Sequence, residues 1–104
     1  MDFQELTRRA LSIRGQYAES ERQRYGEAWT NEEIALGFVG DVGDLVKFVM
    51  AESGRRDMPD SKRKLEHELA DCLWSLIVLA NNHDIDLEKS FLKTMDSLER
   101  HLSQ

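Results

Sequence analysis

Residues 65–80 read Leu65-Glu66-His67-Glu68-Leu69-Ala70-Asp71-Cys72-Leu73-Trp74-Ser75-Leu76-Ile77-Val78-Leu79-Ala80, and the architecture turns on how they are read. Leu65, Leu69, Leu73, Leu76, Ile77 and Ala80 recur at helical spacing, with no alternation of apolar and polar residues that would suggest a strand. From Leu69 onward the only polar side chains are Asp71 and Ser75, so the apolar surface wraps nearly the whole circumference. Such a helix must be buried on all sides. Three other helices in so short a chain cover about half of it, which leaves Trp74 and Val78 on an apolar patch that seeks a partner. The expectation is a homodimer or homotetramer with this helix at the subunit contact.

On either side the boundaries are marked. Asn81-Asn82-His83 ends the helix, and a polar connection from Gly54 to Asp60 with the only proline, Pro59, places its start near Asp60 or Ser61. Before that connection, Thr30 followed by Glu33 is a capping box for a helix running to Glu52 or Ser53, where Gly54 ends it. Phe3, Leu6, Ala10, Ile13 and Tyr17 form the stripe of a first helix from about Asp2 to Arg24, interrupted weakly by Gly15. Asp86 caps the last helix, whose stripe is Leu87, Phe91, Met95, Leu98 and Leu102. The reading is an all-α four-helix bundle occupying residues 1–104 as one domain.

Composition agrees with a folded protein: 40 % of the 104 residues are hydrophobic, 33 % are charged, and there is one proline. A net charge of -6 disfavours a broad electrostatic grip on a nucleic-acid polymer. No apolar run approaches the twenty or so residues of a membrane span, and Met1-Asp2-Phe3-Gln4-Glu5 lacks the basic start of a signal peptide. A single Cys72 forms no internal disulfide, which fits a reducing compartment. The expected location is the cytoplasm.

Four acids stand out against this background. On the second helix, at about 100° per residue, Ile34, Phe38, Leu45 and Phe48 share one face with Asp41 in their middle, and Asp44 lies at its margin. On the third helix, Glu68 and Asp71 repeat the i, i+3 spacing, with Glu68 flanked by Leu65, Leu69 and Cys72. Unpaired carboxylates in such surroundings cost several kcal/mol each and repel one another. A cation resolves the conflict. Oxygen ligands from two facing helices suit Mg²⁺ or Mn²⁺, whereas a structural zinc site would want His and Cys. Mg²⁺ that keeps some of its water can activate it while neutralising phosphate oxygens, the chemistry of phosphoanhydride hydrolysis. The competing reading is that Asp41 and Asp44 pair with Arg or Lys from the first helix.

The stretch Gly37-Phe38-Val39-Gly40-Asp41-Val42-Gly43-Asp44-Leu45 and the stretch from Leu65 to Trp74 resemble the ExxE and ExxD motifs of the MazG-like, all-α nucleoside triphosphate pyrophosphatases. The likeness continues through Leu79-Ala80, Ile85-Asp86-Leu87-Glu88 and Lys93-Thr94-Met95, and so covers the last three helices. It implies hydrolysis of a nucleotide between its α and β phosphates to give a monophosphate and pyrophosphate, with Mg²⁺ held by Asp41, Asp44, Glu68 and Asp71. The first motif here is D-V-G-D where the family usually has two glutamates, so each ligand is about 1.5 Å shorter. Either the second helix packs closer, as Gly37, Gly40 and Gly43 would allow, or the metal shifts. Leu98 stands near where many relatives carry an asparagine, leaving Lys93 and Arg100 as phosphate or sugar contacts. These departures keep open a non-catalytic relative that senses nucleotide or contacts a protein.

Arg55, Arg56, Lys62, Arg63 and Lys64 gather before and within the first turn of the third helix, where positive charge opposes the helix dipole. They form a triphosphate clamp, with Arg55 and Arg56 its foremost members, or else solvated charges paired with Glu66 and Asp60. Trp29, just ahead of the Thr30 cap, either stacks on a base or packs as a hydrophobic staple. His67, His83 and His101 read as surface residues, and Cys72 as a small core side chain.

Overall fold

The computed structural model describes residues 1–104 and contains four helices and no strand: α1 (Phe3–Tyr25), α2 (Asn31–Glu52), α3 (Ser61–Asn82) and α4 (Leu87–Leu102). Each boundary has a local cause. Asp2 accepts the Glu5 N–H at 2.9 Å to cap α1. Gly26 closes that helix in the left-handed region at φ 86°, its N–H bonded to the Arg22 carbonyl at 2.9 Å. Thr30 and Glu33 exchange both bonds of the capping box that starts α2. Asp86 caps α4 through the Lys89 N–H. The α3 start differs: Asp60 sits at φ 57° and gives no side-chain cap, turning its carboxylate to Arg63 instead.

Two hydrogen bonds fix α2 and α3 as an antiparallel pair. Asn82, at the end of α3, donates to Asn31 at the start of α2 at 2.8 Å, and Ser61 at the start of α3 bonds to Glu52 at the end of α2. The buried residues Ile34, Phe48, Cys72, Ile77, Val78 and Ala80 all belong to this pair. α1 lies against α3, where the Trp74 indole N–H donates to the Ala10 carbonyl at 3.0 Å and its ring tilts against Tyr17 at a centroid distance of 5.8 Å.

These contacts correct one expectation, that Trp74 and Val78 lie on an uncovered patch. Val78, placed on the exposed patch from its sequence, is the most buried residue of the core at 2 % exposure, because α2 covers that side of α3. Trp74 is held by α1. The apolar surface that α3 does leave open belongs to Leu69, Leu73 and Leu76, exposed by 43 % to 52 %. The four helices expected from the sequence are present, and they leave apolar surface open within one chain. α4 packs only lightly on α3, and Phe91, Leu98 and Leu102 of its apolar stripe stay exposed. The radius of gyration is accordingly 16.6 Å, against about 13 Å for a compact chain of this length.

Candidate metal centre

Halfway along the α2–α3 seam the two helices turn carboxylates toward each other. Asp41, Asp44 and Glu68 bring one oxygen each within 4.8 Å of one another, and His67, Glu68 and Asp71 form a second such group. Glu68 belongs to both. The four sequence-selected acids, joined by His67, therefore fall into two trios that share Glu68, with Asp71 beside His67, whose Nε2 lies 3.1 Å from Asp71 Oδ2. The i, i+4 spacing of His67 and Asp71 carried that pairing, but the exposure of His67 made it read as ordinary surface.

The negative charge of these acids is only partly offset by neighbouring side chains. Glu68 Oε2 is buried without a hydrogen-bond partner. Burial pushes the Glu68 carboxyl up from its ordinary value, and the negative charges of Asp41, Asp71 and Asp44 add to the rise while His67 opposes it. Asp41 is raised in the same way, by burial first and then by Asp71 and Asp44. Asp44 is about half exposed and pairs with Lys47 at 3.1 Å, which places it at the solvent edge. Burial, and then Asp41, Glu68 and Asp71, also push the Cys72 thiol up, so it stays protonated and suits a core role. An orphaned carboxylate oxygen among converging acids is a donor set that fits a hard divalent cation.

Clefts flank the acids on both sides along the seam. Toward the start of α2, Arg14, Trp29, Ile34, Gly37, Asp41, Asp71, Trp74, Ser75 and Val78 line a largely apolar cleft of about 170 Å³. Trp29 lies over Gly37, where a Cβ would meet the indole Cζ3 at 3.4 Å, a van der Waals contact. Gly40 and Gly43 face open space, so they do not draw α2 closer to any part of this chain. Toward the start of α3, Phe48, Arg63, Lys64, His67 and Glu68 line a polar cleft.

The other sequence candidates fall elsewhere. Arg55 and Arg56 are exposed in the α2–α3 loop, and it is Arg63 and Lys64 that share a cleft with Glu68. Lys93 and Arg100 ride on α4, which packs on α3 alone to any extent. Neither lines a cleft with the acids, and Arg100 lies in a shallow depression beside Asp96 and Glu99. Sequence reading missed Arg14, whose approach to Asp41 and Asp71 depends on how α1 docks and leaves no signal in local spacing.

Fold and site together define a small all-α protein whose antiparallel helix pair presents converging carboxylates between an aromatic and a cationic cleft. Residues 29–102 match the model of the MazG nucleotide pyrophosphohydrolase domain, and the chain belongs to that family. The match begins at Trp29 and takes in α2, α3 and α4, with α1 outside it. No curated protein and no solved structure gave a significant match. Divalent cations are typical of the family, and no helix is long and apolar enough to cross a membrane.

Proposed function

We propose that the chain is a Mg²⁺- or Mn²⁺-dependent pyrophosphohydrolase that cleaves a nucleoside or deoxynucleoside triphosphate between its α and β phosphates, releasing monophosphate and pyrophosphate. The observation that carries this reading is the convergence of Asp41, Asp44 and Glu68 around a buried, unpartnered Glu68 oxygen in a chain of this family. Asp41, Asp44, Glu68 and Asp71 would hold one or two cations. When bound, the cation supplies neutralisation of phosphate oxygens and acidification of water.

The chain's own groups then divide the substrate. The nucleoside occupies the aromatic cleft, where Trp29 offers a ring face. The terminal phosphates point the other way, toward Arg63 and Lys64, with Arg55 and Arg56 closing from the loop. The acids lie between, at the bond to be cut. The Asp71–His67 pair stands ready to take up the proton lost by the attacking water, at Asp71 Oδ2. The substrate is a free nucleotide, in keeping with a net charge of -6, and the setting is the cytoplasm.

We further propose a homodimer or homotetramer of one-domain subunits. Only 6 of 104 residues are buried in the single chain, and the apolar stripes of α3 and α4 lack a cover. A second reading, a non-catalytic nucleotide sensor, draws on the Asp44–Lys47 ion pair, which competes for one ligand of an already shortened motif. Incubation with each canonical and deoxy triphosphate plus Mg²⁺ or Mn²⁺ separates the two. The enzyme releases pyrophosphate and loses that activity in Glu68→Gln; binding without turnover of any nucleotide supports the sensor.

A further inference from the structure

Asp71 lines one cleft with Arg9 of α1, and Asp41 and Asp71 together line another whose one basic side chain is Arg14. A guanidinium so placed has an evident alternative, which is to swing onto those carboxylates and neutralise them. It is held elsewhere. Arg14 Nη1 donates to Glu21 Oε2 at 2.9 Å and Nη2 to Glu21 Oε1 at 2.6 Å, a two-pronged planar pair between residues two turns apart on α1. Glu21 Oε1 also accepts the Trp29 backbone N–H at 2.8 Å, so a single carboxylate fixes both the guanidinium and the segment that enters α2.

This is the least exposed ion pair in the chain, with 17 % and 13 % of the two side chains accessible. No ion pair joins Arg14 to either site acid. For Arg14, the competing reading in which a basic residue of the first helix satisfies the acids is thus blocked by another residue on that same helix.

We propose that Glu21 is a positioning residue: it holds Arg14 at the wall of the cleft and off Asp41 and Asp71, keeping both acids available to a divalent cation. The inference rests on the reading of these acids as cation ligands. The device sits on α1, outside the residues that match the family.

The test is calorimetric titration of Mn²⁺ into the wild-type chain, Glu21→Gln, and the double variant Glu21→Gln with Arg14→Met. The glutamine keeps the length of the side chain and an oxygen for the Trp29 N–H, so α1 remains docked while the charge that retains Arg14 is gone. The released guanidinium then competes with Mn²⁺, and Kd rises about tenfold or more. Removing the guanidinium in the double variant returns Kd to near the wild-type value, which general loosening of the fold would not do. An unchanged Kd in Glu21→Gln, or a double variant as weak as the single, overturns the inference while leaving the proposed function standing. No uptake by the wild-type chain overturns both.

Discussion

Replacing Glu68 with glutamine should reverse the order of stability between metal-free and metal-bound protein. In the wild-type chain one Glu68 oxygen is buried without a partner and its carboxyl faces Asp41, Asp44 and Asp71. An unsatisfied buried polar group costs about 1–3 kcal/mol. The glutamine side chain has nearly the same shape, carries no charge, and can donate N–H bonds to the neighbouring carboxylates. The metal-free variant should therefore gain about 1–2 kcal/mol, or roughly 4–16 °C in unfolding midpoint for a chain of this size. With Mg²⁺ at a hundred times its Kd, the wild-type chain gains about 2.7 kcal/mol, and the variant, short of a charged ligand, gains little. Thermal unfolding by circular dichroism, at one fixed protein concentration, in EDTA and then in excess Mg²⁺, reads both. The expected result is a crossing: the variant melts above wild type in EDTA and below it in Mg²⁺. A variant that melts lower in EDTA, or that Mg²⁺ stabilises as much as wild type, shows that the Glu68 carboxylate is not waiting for a cation.

Other outcomes follow from the same geometry. Because Asp41 and Glu68 keep their protons to higher pH folded than unfolded, their penalty is absent below the unfolded values and complete above the raised folded ones. Their contribution to metal-free stability thus falls as pH rises through that window, and the Glu68→Gln melting profile should be flatter there than the wild-type one. Glu21 works in the opposite sense: its carboxyl is held below the ordinary 4.5 by the bond to Arg14, so its contribution is present above 4.5 and lost as pH falls through the depressed value. Glu21→Gln should therefore remove an acid-side loss of stability in pH-dependent melts. Gly15→Ala, in the exposed middle of α1 with nothing within 4 Å of the new methyl, should stabilise by about 0.8–1 kcal/mol in denaturant unfolding. Leu76→Lys, on the open side of α3, costs an isolated chain about 0.5 kcal/mol or less. Sedimentation should show it dissociating the proposed oligomer, and an unaltered assembly would place the contact elsewhere.

The helices were legible in the sequence because their signals are local. The Thr30–Glu33 capping box, the Asp86 cap and the heptad-like stripes act over a few residues, and the observed boundaries depart from the expected ones by a residue or two. The i, i+3 spacings of Asp41 with Asp44 and of Glu68 with Asp71 likewise set each pair on one helix face. What spacing could not supply was the relation between helices. Val78 looked exposed because nothing local says which side of α3 meets α2. Nor did the sequence tell which of the five clustered basic residues face the acids: Arg63 and Lys64 line the cleft with Glu68, while Arg55 and Arg56 stay exposed in the loop. The hold of Glu21 on Arg14 spans two helical turns and a loop, and its meaning depends on α1 docking beside Asp71.

Cation uptake itself is read by titrating Mn²⁺ into metal-free protein and following the electron paramagnetic resonance signal of the free ion. Saturable loss of that signal at one or two ions per chain, abolished in Asp41→Asn and in Glu68→Gln, is the result the converging carboxylates predict. A signal that grows linearly from the first addition in the wild-type chain would contradict them.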